Sequence, residues 1–77
     1  MNNTYQGELK KLGGRIRYLR EQREFSQELL SFKADIHRTY LSQLELGQRN
    51  PSYTTLLKLS SALSINITEL IKIDKTT

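Results

Sequence analysis

The 77-residue chain has no cysteine, no tryptophan, one proline and one histidine. Without cysteine, neither a disulfide framework nor a thiolate zinc site can hold the domain together, so its stability must come from packing within one chain or across a dimer. The single imidazole, His37, makes no convincing metal site, and no serine has a histidine base with an orienting acid. Gly13-Gly14 lacks the lysine and serine of a phosphate-binding loop. We therefore expect no metal, no cofactor and no enzymatic activity.

Long apolar segments are also missing. No run of about 18 apolar residues is present to cross a membrane, and the first eleven residues, MNNTYQGELKK, lack the apolar core of a signal peptide. The expected location is the cytoplasm, in association with the nucleoid. Twelve lysines and arginines against eight acidic residues give a net charge of +4, which favours an anionic partner such as nucleic acid without requiring one.

The length allows one domain with one core. Residues 1–8 are polar and show no periodicity, so they are predicted to form a flexible N-terminal arm. The folded domain is predicted over residues 9–73, followed by a tail at 74–77. Its first helix is expected over about residues 9–23, where Leu9, Leu12, Ile16 and Leu19 recur at helical spacing. The two adjacent glycines are expected to weaken the first turns of this helix.

Capping residues set the limits of the next helices. Ser26 is a suitable N-cap for a second helix over about residues 26–33. A turn at 34–36 follows, in which Asp35 tolerates a left-handed backbone. A third helix is predicted over about residues 37–46, and Gly47 ends it. The sequence thus predicts two short helices joined by a tight turn.

The remaining sequence predicts two more helices. Ser52 caps a fourth helix in which leucines align on one face, and Asn66 with Glu69 resembles a capping box that opens a short fifth helix. No segment alternates in the manner of a strand. The predicted fold is therefore all-α, a compact domain of five helices.

The third helix has two chemically different faces. At about 100° per residue, Leu41 and Leu44 lie on one side, and a polar sector lies on the other. This polar sector comprises Arg38, Thr39, Ser42 and Gln43. Arginine can bind guanine through two hydrogen bonds in the DNA major groove, and glutamine can bind adenine in the same way. The pattern predicts a helix-turn-helix, formed by helices 2 and 3, in which helix 3 binds DNA.

The run IRYLREQREFSQELL, with the later run HRTYLSQLELGQRNPSYTTLLKLSSAL, resembles the phage-repressor or XRE-type helix-turn-helix family over about residues 9–71. The Arg38-Thr39-Tyr40 start of the third helix and the Arg49-Asn50 pair are most similar to the controller proteins of restriction-modification systems. The resemblance implies a five-helix domain of the phage-repressor-like type. It also implies a transcriptional regulator that binds double-stranded DNA at a (pseudo)palindromic operator as a homodimer.

Position and resemblance together nominate DNA-contacting side chains. The expected base-reading residues are Arg38, Thr39, Ser42, Gln43 and Arg49. The expected phosphate-binding residues are Gln27, Tyr40, Ser52, Tyr53 and Thr54. Alternatives stay open at four of them: Ser42 and Arg49 as ordinary surface residues, Tyr40 as a core residue, and Ser52 as a helix cap alone.

The resemblance also implies two structural features. Arg20 and Glu45 are expected to form a salt bridge that ties the first helix to the end of the third. An apolar group near the end of the chain is expected to form the dimer interface, with covering of the monomer core as the alternative. This group is Ile65, Ile67, Leu70 and Ile71. Such a dimer would place the two third helices about 34 Å apart, in successive major grooves.

Three residues depart from the family pattern, which usually has glycine at Glu24 and Asp35 and alanine at Ser31. If the backbone is left-handed at Glu24 and Asp35, each costs up to about 1 kcal/mol. Serine is small enough for a close helix crossing at position 31.

Other functions remain as alternatives. One is an antitoxin or another protein-binding module of the same fold, and another is a small phage-type repressor. A third is a membrane-surface helix formed by the basic first segment, which contains Lys10, Lys11, Arg15 and Arg17.

Overall fold

The computed structural model describes residues 5–73, which form five α-helices and no strand. The helices are α1 (Gln6–Gln22), α2 (Gln27–Ala34), α3 (Arg38–Glu45), α4 (Tyr53–Ala62) and α5 (Ile67–Leu70). Helix α1 packs against α3 and α5, α2 packs against α3 and α4, and α4 packs against α5. The all-α, five-helix prediction is confirmed. Residues 1–4 of the predicted arm and the predicted tail at 74–77 lie outside the described residues.

Helix α1 begins at Gln6, three residues before its predicted start, so the expected arm is corrected over residues 6–8. The amide of Leu9 donates to the carbonyl of Tyr5 at 3.0 Å. The side-chain amide of Gln6 donates to the carbonyl of Gly47 at 2.9 Å. A hydrogen bond to a residue 41 positions later in the chain therefore anchors this first turn. The hydrophobic periodicity of the helix cannot reveal such a bond.

Gly13 lets α1 cross the end of α3 at very short range. A Cβ built on Gly13 would collide with the carbonyl oxygen of Leu44 and lie 2.6 Å from the carbonyl oxygen of Glu45. A Cβ on Gly14 would meet nothing within 4 Å. The sequence predicted a weakened helix start at this pair, whereas the structure uses Gly13 for close backbone packing.

Serine caps begin α2 and α4 as predicted. Ser26 Oγ accepts a hydrogen bond from the amide of Leu29 at 3.0 Å, and Ser52 Oγ accepts one from the amide of Thr55 at 3.1 Å. Asn66 occupies the N-cap position of α5 but makes no side-chain capping bond. The predicted capping box is wrong, because the carboxylate of Glu69 accepts instead from Arg15 Nη2 at 2.8 Å.

Within residues 5–73, nine apolar residues from the five helices and their ends form the buried core: Ile16, Leu19, Leu30, Ala34, Leu41, Leu44, Leu59, Leu63 and Leu70. The burial of Leu70 corrects its assignment to the dimer interface, since its side chain is already fully covered by its own monomer. Ile65 is half-buried and packs against this core, Ile67 is half-buried, and Ile71 is 44 % exposed. Of the four residues predicted to form the dimer interface, Ile65, Ile67 and Ile71 have apolar surface available to a partner.

Left-handed backbone occurs where the family resemblance places glycine. Glu24 has φ 59° and Asp35 has φ 58°; Ser64, with φ 60°, was not anticipated. Ser31 is buried, and its hydroxyl donates to the carbonyl of Glu28 at 2.9 Å, so serine replaces the expected alanine without an unpaired polar group.

Replacing Glu24 with glycine is expected to stabilise the domain by up to about 1 kcal/mol. A left-handed backbone costs a non-glycine residue about 1–2 kcal/mol, and the extra freedom of glycine in the unfolded chain offsets roughly 0.4–1 kcal/mol of that gain. Asp35→Gly should gain less, because aspartate tolerates this conformation better. Urea unfolding of the two variants checks the order, and destabilisation by Glu24→Gly would contradict it.

Candidate nucleic-acid interface

The exposed side of α3 carries most of the predicted base-reading residues. Four of them, Arg38, Thr39, Ser42 and Gln43, line a shallow depression of about 430 Å³ together with Gln27 from α2. We call Arg38, Thr39, Ser42 and Gln43 the polar face of α3. The fifth predicted residue, Arg49, lies in the following loop and reaches this face through a hydrogen bond to Gln43.

The opposite side of α3 holds the helix in place. Leu41 and Leu44 are fully buried in the core, and Glu45 is buried beside them. The residue before the helix, His37, has an extended backbone and makes no capping bond with its side chain. Apolar burial therefore fixes the rotation of α3 about its axis, and this rotation directs the polar face outward.

Arg38 stands at the start of α3 with 66 % of its side chain exposed. Its Nη1 lies 4.0 Å from Glu28 Oε1. A pair this long and this exposed contributes little to stability, because water screens both charges. The guanidinium thus remains largely solvated on an exposed edge, which suits a role in binding.

A buried ion pair joins α1 to the end of α3. Arg20 Nε donates to Glu45 Oε2 at 2.7 Å and Nη2 donates to Oε1 at 3.1 Å, while Nη1 donates to the carbonyl of Phe25 at 2.8 Å. Only 11 % of the Arg20 side chain and 3 % of the Glu45 side chain are exposed. The structure therefore contains the pair that the family resemblance implied.

The environment of Arg20 favours its charged form. Its hydrogen bond to Glu45 raises the pKa of the guanidinium, and burial opposes part of this rise. A raised folded-state pKa gives stabilisation that is complete below the unfolded-state pKa and is lost as the pH rises through the folded value. Since arginine titrates only in strongly alkaline solution, the contribution of Arg20 is constant across the neutral range.

Gln27 has a structural contact that the sequence did not reveal. Its Nε2 donates to Glu45 Oε1 at 3.0 Å, so one of its two side-chain N–H groups is committed to the buried ion pair. Its place at the start of α2, on which its predicted phosphate contact rests, gives no sign of this bond. Glutamine at that position supports the α1–α3 contact while its side chain also borders the depression.

Tyr40 and Arg49 form a cluster with Gln43 at one end of the polar face. The guanidinium of Arg49 lies 5.4 Å from the centre of the Tyr40 ring, and Arg49 Nε donates to Gln43 Oε1 at 2.9 Å. Tyr40 is half-buried and packs against the core. The three side chains thus order one another before any ligand is bound.

The predicted phosphate-binding residues at the start of α4 are not among the residues that line the depression. Tyr53 is 64 % exposed and Thr54 is also exposed. The hydroxyl of Ser52 caps the helix and lies 3.1 Å from the hydroxyl of Thr55. Capping therefore accounts for Ser52, while Tyr53 and Thr54 remain candidates for contacts outside the polar face.

Residues 5–73 contain neither a metal-binding cluster nor a membrane-spanning helix. No three histidine, cysteine, aspartate or glutamate side chains in this range are grouped so that they could hold a metal ion. None of the helices described in this range is both long enough and apolar enough to span a membrane.

A family model described as helix-turn-helix matches residues 16–70, from the middle of α1 to the end of α5. The chain belongs to the helix-turn-helix family. Helices α2 and α3, with the turn between them, provide the two helices for which that family is named. The resemblance predicted from the sequence is confirmed.

Similar helix-turn-helix proteins include controller proteins. Control protein C.BamHI of Bacillus amyloliquefaciens is 40 % identical over 60 residues, which cover 77 % of this chain and 74 % of that protein. Control protein C.MunI of Mycoplasma sp. is 38 % identical over 61 residues, which cover 78 % and 82 %. The crystal structure of the restriction-modification controller protein C.AhdI from Aeromonas hydrophila matches with a TM-score of 0.82 and 44 % identity, over 83 % of this chain and 97 % of that one.

Proposed function

We propose that this protein is a sequence-specific, DNA-binding transcriptional regulator of the restriction-modification controller type. The polar face of α3 carries the proposal, since it presents arginine, threonine, serine and glutamine from a helix whose other side is fixed in the core. These side chains match the hydrogen-bonding groups of base edges in the major groove. The net charge of +4 supplies attraction to phosphates.

The proposed regulator binds a (pseudo)palindromic operator as a homodimer, with its target in the nucleoid. The family resemblance implies this assembly, and Ile65, Ile67 and Ile71 supply partly exposed apolar surface near the end of the described chain. Two-fold symmetry would present one α3 to each half-site. Dimer formation and operator symmetry are thus two parts of the same proposal.

Selection from random DNA duplexes at about 150 mM salt tests the proposal, because purely non-specific binding is weak at such a concentration. A recovered pseudo-palindrome with half-sites about 10 base pairs apart would support a dimeric operator-binding regulator. Failure to enrich any sequence would contradict it.

Arg38→Ala and Gln43→Ala are each expected to weaken binding to the selected operator by about 1–3 kcal/mol and to relax preference at one base pair per half-site. Arg17→Ala is the matched control, since it also removes an exposed arginine, one whose Nε is paired with Glu21 on α1 at 3.1 Å. It should leave the preferred sequence unchanged. Competition binding with single-base operator variants measures all three effects, and unchanged discrimination in the Arg38→Ala/Gln43→Ala double variant would rule out base reading by this face.

A protein-binding module is the second candidate function, and an exposed apolar surface on α2 favours it. The ring of Phe32 is 82 % exposed and Leu29 is 39 % exposed, and both border a depression of about 700 Å³ that also contains Ile36. Co-purification with a second protein at fixed stoichiometry, lost in Phe32→Ser, would support this function.

A further inference from the structure

The loop that follows α3 holds an arginine that contacts two side chains of α3, Gln43 and Tyr40. Arg49 Nε donates to Gln43 Oε1 at 2.9 Å, and Arg49 Cζ lies 5.4 Å from the centre of the Tyr40 ring. The Tyr40 ring is itself held against the core. Arg49 is therefore supported on one side by an aromatic ring and on the other by a side-chain oxygen, although it lies in a loop and is exposed.

The chemistry of arginine determines which end of Gln43 faces it. A guanidinium has five N–H donors and no acceptor, whereas a carboxamide has an oxygen that accepts and a nitrogen that donates. Only Oε1 of Gln43 can therefore accept the hydrogen bond from Arg49, so the Nε2 of the carboxamide must point away from Arg49. In the absence of Arg49, the carboxamide could turn by 180° and exchange its donor and acceptor.

We infer that Arg49 is a positioning residue that fixes the carboxamide of Gln43 so that Gln43 reads an adenine. This inference rests on the proposed function. In the fixed orientation, Nε2 donates to adenine N7, and the second lone pair of Oε1 accepts from adenine N6 while the first remains with Arg49. Guanine has an acceptor, O6, in place of the N6 donor. Its O6 and the carboxamide oxygen would be two acceptors facing each other, and no hydrogen bond could form between them.

This role differs from the direct base contact predicted for Arg49 from sequence. In the structure, Arg49 Nε is occupied by Gln43 and the guanidinium lies over Tyr40, so the loop and α3 present one composite group. Preorganisation of this kind lowers the entropy lost when Gln43 binds, because the side chain is already ordered. Specificity at one base pair then depends on a residue that does not touch the base.

A double-mutant cycle on the selected operator tests the inference. Binding is measured for the wild type, Gln43→Ala, Arg49→Ala and the double variant, each against the operator and against versions with the adenine replaced. The adenine in question is identified as the position whose discrimination is lost in Gln43→Ala. Arg49→Ala should lose roughly tenfold of the discrimination at that position, and in the double variant it should cause no further loss there. Discrimination at the positions read by Arg38 should remain.

Three control variants separate positioning from charge. Arg49→Lys keeps the positive charge and a side chain with donors and no acceptor, so it should keep the wild-type salt dependence and more of the discrimination at the adenine than Arg49→Ala does. Tyr40→Phe keeps the ring under Arg49 and should keep discrimination at this base pair. Arg17→Ala removes one charge elsewhere and should also keep it.

A measurement on the free protein tests the contact without DNA. In NMR spectra, the Arg49 Nε–H resonance should shift and exchange faster with solvent in Gln43→Ala, and the Gln43 side-chain amide resonances should shift in Arg49→Ala. Arg49→Ala could reduce discrimination at the adenine equally in the wild type and in Gln43→Ala. Arg49 would then act independently of Gln43, which would overturn this inference but leave the proposed function standing. Absence of any enriched sequence for the wild type would overturn the proposed function and the inference with it.

Discussion

Gly13→Ala is expected to lower the free energy of unfolding by about 3 kcal/mol or more, a large part of the roughly 5–15 kcal/mol typical of a small domain. The new methyl group would meet the backbone carbonyls of Leu44 and Glu45, which cannot move aside as a flexible side chain can. Helices α1 and α3 would have to separate, and the packing of Leu44 and the Arg20–Glu45 ion pair would loosen with them. Urea unfolding measures the loss.

Gly14→Ala is the matched control for this variant. The two glycines are adjacent in the same helix, but a Cβ on Gly14 meets nothing within 4 Å. Alanine in place of an unconstrained helical glycine should stabilise the domain by about 0.5–1 kcal/mol. Neighbouring, chemically identical substitutions are thus expected to have opposite signs. Stabilisation by both variants would show that α1 and α3 do not need their close approach.

Glu45→Leu is expected to destabilise the domain by about 3–5 kcal/mol, because it leaves the guanidinium of Arg20 buried without its counter-charge. The same change removes the acceptor for Gln27 Nε2. Adding Arg20→Met should restore much of the loss, since a buried ion pair replaced by apolar side chains of similar volume is often close to neutral. Recovery should be incomplete, because Gln27 and the carbonyl of Phe25 still lose their partners.

Unfolding of the wild type, the two single variants and the double variant gives the coupling energy of this pair. Arg17→Ala is the control, because its partner Glu21 is also on the surface, with 60 % and 53 % of the two side chains exposed. It should change the free energy of unfolding by less than about 0.5 kcal/mol. Strictly additive effects of the Arg20 and Glu45 substitutions would contradict a coupled buried pair.

The helices and most of their ends could be predicted from the sequence because the information is local. Apolar residues three and four positions apart define a helix face, and Ser26 and Ser52 bond to amides three residues later. Left-handed backbone at Asp35 follows from its place in the turn before helix 3, whereas at Glu24 it is implied by the family resemblance. The polar face of α3 was predictable for the same reason, since it depends only on helical spacing.

The errors concern contacts between residues far apart in sequence. The bond from Gln27 to Glu45 spans 18 residues, and that from Arg15 to Glu69 spans 54. These bonds depend on how the helices cross, which single-helix periodicity does not specify. Leu70 was assigned to an interface for a related reason: an apolar residue near the chain end has the same sequence pattern whether its own core or a partner covers it.

The division of α3 into two faces also bears on how this protein can diverge. The residues that hold the helix, Leu41, Leu44 and Glu45, are interspersed in sequence with those of the polar face but are buried. A substitution at Thr39 or Ser42 changes the groups offered to a ligand, and a surface change of this kind usually alters stability by no more than about 0.5 kcal/mol. Under the proposed function, new operator preferences can therefore arise by single substitutions on this face, with the domain remaining folded at each step.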